Sequence, residues 1–285
     1  MKVVAVALVV WFISVVPAGA ARFGGVEELY FGPSVDYFQW KEFLGGTQVV
    51  KESGPLFGVD ATVDLNLLQT DDAGALKLKG KLGLFGGDVD YDGSITSTNP
   101  AYDGLPVKSD VVHFGVRQEV DLGWRLPLQE VAVEPFGGIG YRWWLRDIDN
   151  STTRDLAGQP LGVQGYTEYW QTVYARVGAR GRYDVNGDLR FFVEGGARYP
   201  FYTENEADFP GVGTVTVKPG GAWSAFAEAG FRYRNFRTGI HYEGFRFAQS
   251  PGVKGYSVSA GKYVTIYQPR SESDVVGINF SWAIK

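Results

Sequence analysis

Three aspartates and two histidines are the residues here whose types and spacing could do chemistry. Asp88-Val89-Asp90 sets two carboxylates on one face of an extended strand, and Asp92 adds a third. Such a group could supply half of a peptide-hydrolysing site, or bridge Ca²⁺ and lipid head groups at a loop tip. His113 and His241 are the two histidines, and His241 shares a strand face with Glu243, which makes a His–Glu pair conceivable. Cysteine is absent, so disulfides, thiolate metal sites and thiol nucleophiles are excluded. No phosphate-binding loop, dinucleotide fingerprint or HExxH motif occurs. With 27 Lys+Arg against 32 Asp+Glu the net charge is −5, which disfavours a basic nucleic-acid binder. No catalytic residue, cofactor or metal ligand is expected.

The elements that would carry these residues alternate with period two. Val112, Phe114, Val116, Val120, Leu122 and Trp124 share one face; His113, Arg117, Glu119, Asp121 and Arg125 share the other. Val173, Ala175, Val177 and Ala179 oppose Arg176, Arg180 and Arg182 in the same way. The pattern predicts ten strands, at about 28–43, 55–69, 75–91, 108–126, 129–147, 164–184, 188–204, 221–235, 236–249 and 272–284. Eight or twelve are the alternatives, and 256–267 could extend the last hairpin above a membrane. Short turns near Asp71–Gly74, Pro127-Leu128, Val185–Gly187 and Asn235-Phe236 alternate with long polar loops at 44–54, 92–107, 148–163, 205–220 and 250–271. That sorting of connections, on strands longer than the ~5–6 residues usual in soluble sheets, predicts an all-β fold: a closed antiparallel transmembrane β-barrel.

At the start of the 285-residue chain, Met1-Lys2, the apolar run Val3–Val16, Pro17 and Ala18-Gly19-Ala20 read as a secretory signal peptide cleaved before Ala21. Residues 21–285 are then one barrel domain, with export to the bacterial outer membrane the expected location. In hydrocarbon the sheet must close, so the apolar face meets lipid and the charged face lines the lumen. Trp40, Trp143, Tyr183, Tyr199 and Trp282, near strand ends, fit interfacial aromatic girdles.

Parity places Arg117, Glu119, Glu134, Arg142, Arg176, Arg180, Glu194, Arg198, Glu228, Arg232, His241 and Glu243 inside, with His113 and Arg146. A narrow ten-stranded barrel leaves such charges little water, so the expectation is a salt-bridged plug, with a narrow solute channel as the alternative. Lys77, Lys79 and Lys81 share one face and need acidic neighbours, for which Asp60 and Asp64 are candidates.

Three segments, 52–58 (Glu-Ser-Gly-Pro-Leu-Phe-Gly), 90–93 (Asp-Tyr-Asp-Gly) and 134–143 (Glu-Pro-Phe-Gly-Gly-Ile-Gly-Tyr-Arg-Trp), resemble a family of small outer-membrane barrels of Gram-negative bacteria, of the OmpA/opacity-like class. The resemblance implies a barrel and carries no activity. Gly277-Ile278-Asn279-Phe280-Ser281-Trp282 resembles the terminal recognition pattern of such barrels, although Val275 stands where a polar residue is usual and three residues follow Trp282. It implies the barrel-assembly machinery as a partner during insertion, and outer-membrane lipid and lipopolysaccharide as the surroundings. The omptin-type proteases pair an Asp-x-Asp with an Asp-x-His in the fourth outer loop; here that loop reads Asn205-Glu206-Ala207-Asp208-Phe209-Pro210, without histidine. Lipid A deacylases need a membrane-facing histidine, whereas His241 points inward. The expected function is therefore a non-enzymatic, monomeric barrel serving envelope stabilisation or external contact, with a surface hydrolase as second alternative.

Overall fold

A computed structural model describes residues 24–70, 74–95, 97, 99–258 and 260–284. The signal-peptide reading and most of the Asp71–Gly74 turn lie outside the described residues. Alternating apolar and polar residues produce sixteen strands: β1 (Gly25–Leu44), β2 (Thr47–Thr70), β3 (Gly74–Ser94), β4 (Pro106–Leu128), β5 (Val131–Ile148), β6 (Ser151–Arg154), β7 (Pro160–Val163), β8 (Thr167–Asp184), β9 (Leu189–Phe209), β10 (Gly213–Val217), β11 (Gly220–Ala222), β12 (Ser224–Tyr233), β13 (Phe236–Ala248), β14 (Val253–Ser257), β15 (Lys262–Ile266) and β16 (Arg270–Ala283). Ten of them, β1–β5, β8, β9, β12, β13 and β16, form the wall. Each pairs antiparallel with its sequence neighbour in the wall, and β16 closes on β1 from Tyr30↔Ala283 to Phe43↔Arg270. These ten match the ten strands expected from periodicity to within a few residues, except where they run further outward.

The lipid-facing surface follows the predicted parity. Phe57, Leu84, Phe114, Ile139, Val177, Val193, Ile240 and Val276 are all exposed on the outside of the wall. Aromatics border this belt at the short-turn end, where register joins Tyr183, Phe191 and Phe231 on one side and Phe236, Trp282 and Phe31 on the other. Trp143 and Tyr199 sit on the outward face, packed beside Phe114 and Trp223.

Five expectations require correction or adjustment. Residues 44–54 are not a loop: Gly45 (φ 56°) and Gly46 (φ 89°) make a two-residue hairpin, and β1 and β2 pair up to Leu44↔Thr47. Two consecutive positive-φ residues suit the twist of a tight hairpin, and glycine adopts them without a Cβ clash. Residues 205–220 are likewise mostly strand, since β10 pairs with the outer end of β9 from Gly213↔Phe209 to Val217↔Asn205. The turn expected near Pro127-Leu128 lies two residues on, at Gln129-Glu130, with Gln129 at φ 59°; that expected near Asn235-Phe236 lies one residue back, at Arg234-Asn235, with Arg234 at φ 53°. Trp40 is no girdle residue, for it is 2 % exposed and points into the barrel. At the outer end of β1 Phe38 and Trp40 face inward while Gln39 and Lys41 face outward, so hydrophobicity no longer marks the lipid side there. The strand-like segment near 256–267 forms the separate β14–β15 ribbon, and β6–β7 forms a second one.

Closure leaves no unpaired edge in the ten-stranded wall, so the backbone ladder shields itself wherever hydrocarbon surrounds it. The folded protein is therefore expected to resist SDS at room temperature. Unboiled and boiled samples should migrate differently on a gel; identical migration would contradict a closed ladder.

Candidate functional site

The inward face divides into two storeys. In the outer one, Trp40, Trp144, Trp170, Phe245 and Phe247 fill the lumen with ring contacts of 5.1–6.4 Å. Threaded through them is a buried hub: Arg146 donates to Glu168 at 2.8 Å and from Nε to Glu52 at 2.7 Å, and reaches Glu42 at 3.4 Å. Trp40 and Trp170 donate their indole N–H groups to Glu42 and Glu168, and His113 lies 3.0 Å from Glu52.

The inner storey holds the charges. Glu194, 3 % exposed, receives Arg176 at 2.7 Å, Arg180 at 2.7 Å, Lys81 at 3.0 Å and Lys79 at 3.3 Å. Glu228 faces Glu194 directly across the β9–β12 pair, and Lys81 sits between them, 3.7 Å from Glu228. Arg237 also holds Glu228, at 2.7 Å. Glu134 takes Arg125 and Arg180 at 3.0 and 2.8 Å; Arg176 reaches Glu119 and Asp121. Arg117 is bidentate on Asp60, and Glu243 lies within 3.9 Å of both Arg117 and Arg198. His241 contacts Asp36 at 3.1 Å rather than pairing with Glu243, and Arg232 contacts Glu28 at 2.9 Å.

Thirteen of the fourteen residues expected in the lumen thus lie within 4 Å of an acidic or basic partner. Arg142 departs: although 6 % exposed, its guanidinium packs over Phe85, Trp144 and Phe245 at 4.7–5.4 Å, at the boundary between the storeys. Cation–π contact, rather than a carboxylate, supports it. Because it forms no close ion pair among the described residues, Arg142→Met should leave stability unchanged or raise it, by contrast with removing one member of a buried pair. A urea midpoint lowered by Arg142→Met as far as by Glu194→Ala would refute this distinction.

The expected partners of the lysines are also corrected. Asp60 is taken by Arg117, and the ion pairs of Lys77, Lys79 and Lys81 run to Glu27, Glu194 and Glu228 instead, across the lumen or from β1. Asp64, as expected, is an acidic neighbour, standing opposite Lys79 across β2–β3 and attracting it without forming a close ion pair. Sequence reading missed Asp36, Glu28, Arg237 and Glu27 as members; strand parity, extended to every charged residue, would have found the first three, whereas Glu27 joins them where the β1–β2 register shifts between Val26 and Glu28.

The chemistry weighed first does not assemble. Asp88 and Asp90 are exposed on the outside of β3, and Val89 between them points into the lumen. His113 is opposite Gly87 in register but on the other face of the wall. Among the described residues, no three His, Asp or Glu side chains converge as metal ligands.

No family model matches the sequence, and no curated protein does. Among solved structures, the outer-membrane protease OmpT of Escherichia coli superposes with a TM-score of 0.60 over 94 % of this chain and 99 % of that one, at 10 % identity. The fold is that of an outer-membrane β-barrel. Two further outer-membrane proteins align more loosely. A major outer membrane protein of Thermus thermophilus does so at TM-score 0.36 and 14 % identity, covering 88 % of this chain and 99 % of that one. The transport unit of the autotransporter AIDA-I from Escherichia coli does so at 0.40 and 10 %, covering 95 % and 94 %. At such identities the likeness concerns the barrel alone.

Proposed function

We propose that this protein is a non-conducting, non-enzymatic outer-membrane barrel whose wall and ribbons beyond the belt serve envelope stabilisation or external contact. The observation that carries this reading is the filling of the lumen at two levels. Aromatic rings occupy the outer storey, and cross-lumen ion pairs such as Lys79–Glu194 and Arg232–Glu28 tie opposite walls together in the inner one. Cavities of about 80 Å³ remain beside the ion pairs, room for a few waters rather than for a hydrated solute stream. Against proteolysis stands the outward orientation of Asp88 and Asp90, away from either histidine.

The test is conductance of the refolded protein in planar bilayers. The wild type should show no discrete channel events, and Trp170→Ala, which opens the aromatic storey, should not create ion selectivity while the inner pairs persist. A stable unitary conductance in the wild type that shifts when Glu228 is neutralised would defeat the reading.

A further inference from the structure

At the short-turn end the inner storey opens into a vestibule whose charge is lopsided. Side-chain exposure rises along β8 from Arg180 at 11 % to Arg182 at 27 % and Asp184 at 37 %, so solvent reaches this level from the short-turn side. Three arginines stand directly opposite one another on consecutive strands, with Arg190 facing Arg232 across β9–β12 and Arg232 facing Arg237 across β12–β13. Like charges at directly opposed positions repel unless something neutralises them. Glu28 is shared, at 2.7 Å from Arg190 and 2.9 Å from Arg232. Arg190 also meets Asp184, and Arg237 is taken by Glu228, which leaves Arg232 with half of one carboxylate.

Arg182 adds a fourth guanidinium on the neighbouring strand, held among the described residues only at 3.4 Å by Glu27 and 3.7 Å by Asp184. The Nε atoms of both Arg182 and Arg232 are buried and have no hydrogen-bond partner among the described residues. Both residues line a cavity of about 80 Å³ together with Arg190 and Arg237. Its walls therefore present guanidinium forks that are only partly used, around a space the size of a small anion. Planar N–H forks match the oxygens of phosphate and carboxylate two at a time.

We propose that this vestibule is a binding site for an oxyanion, a phosphate or carboxylate group presented from the short-turn side of the barrel. The anion bridges Arg182 and Arg232 and completes the neutralisation that Glu28 begins. The site is independent of whether the barrel conducts, because it lies on one side of the aromatic storey.

The test is calorimetric titration of the refolded wild type in uncharged detergent at low chloride, with inorganic phosphate in one arm and malonate in the other. Saturable binding in either arm supports the site, and the tighter arm identifies the group it takes. Arg232→Gln should weaken binding about tenfold or more, roughly the loss of a charge-assisted bidentate contact. Arg234→Gln, in the exposed turn, should leave it unchanged. Should Arg232→Gln not refold, Arg182→Lys keeps the charge, removes the fork and should weaken binding similarly. Absence of saturation by about 10 mM in both arms, a range in which even weak sites show, would overturn the proposal. So would equal weakening by Arg234→Gln, the mark of diffuse attraction.

Discussion

Glu194→Ala should lower stability by about 3–5 kcal/mol, the range found when one member of a buried ion pair is removed. The reason is local and countable. Four cations, Lys79, Lys81, Arg176 and Arg180, lie within 3.3 Å of this carboxylate. The two arginines keep Asp121 and other acids, and Lys81 keeps Glu228. Lys79, 8 % exposed, has its only close ion pair among the described residues here. Glu194→Gln should fall between, because the amide oxygen still accepts hydrogen bonds without carrying charge. Asp188→Ala, in the exposed turn beside Arg234, should leave the midpoint unchanged. Urea unfolding in lipid or detergent reads all three, and a Glu194→Ala loss below about 1 kcal/mol, the ceiling for an exposed pair, would show that the lumen is hydrated rather than packed.

A comparable loss is expected on the opposite side of the same wall. Val177 lies mid-strand in β8, 51 % exposed, beside Gly137 and Ala197 in register. Val177→Arg places a cation where hydrocarbon is deepest and should cost about 2–4 kcal/mol in bilayers. Leu156→Arg, in the β6–β7 connection and 79 % exposed, should be neutral. Equal tolerance of the two substitutions would reverse the assignment of inside and outside.

How far the sequence disclosed this arrangement varies with depth along the barrel. Mid-barrel, period two was sufficient: Arg176 and Val177 are neighbours in sequence, and one is 1 % exposed while the other faces outward. Toward the outer rim the rule weakens, because Trp40, Trp144 and Trp170 fill the lumen with the kind of residue that elsewhere faces lipid. Hydrophobicity reports the absence of water, and the packed lumen is dry at that height. Pairing within the lumen was illegible for a different reason. Lys79 and Glu194 are 115 residues apart, and Arg232 and Glu28 are 204 apart; such contacts depend on curvature and register together, which no single strand encodes. The Gly45-Gly46 hairpin could have been read from its glycines, since two in succession between alternating segments favour a tight turn.

The same long sequence separations bear on how the chain enters a bilayer. A β8–β9 hairpin alone would carry Arg176, Arg180, Arg182, Arg190 and Arg198 with Glu168, Asp184 and Glu194 on its inward side, five cations to three anions. The balancing groups, Glu119 and Asp121 on β4, Glu134 on β5 and Glu243 on β13, arrive from other strands. Threading hairpins singly into hydrocarbon would thus expose charges that only the finished ring neutralises. Crossing and closing must then occur nearly together, with a late transition state in which the β1–β16 seam is already forming. Variants that weaken the lumen pairs should consequently slow insertion as well as hasten unfolding, whereas changes in the β6–β7 and β14–β15 ribbons should leave both rates alone.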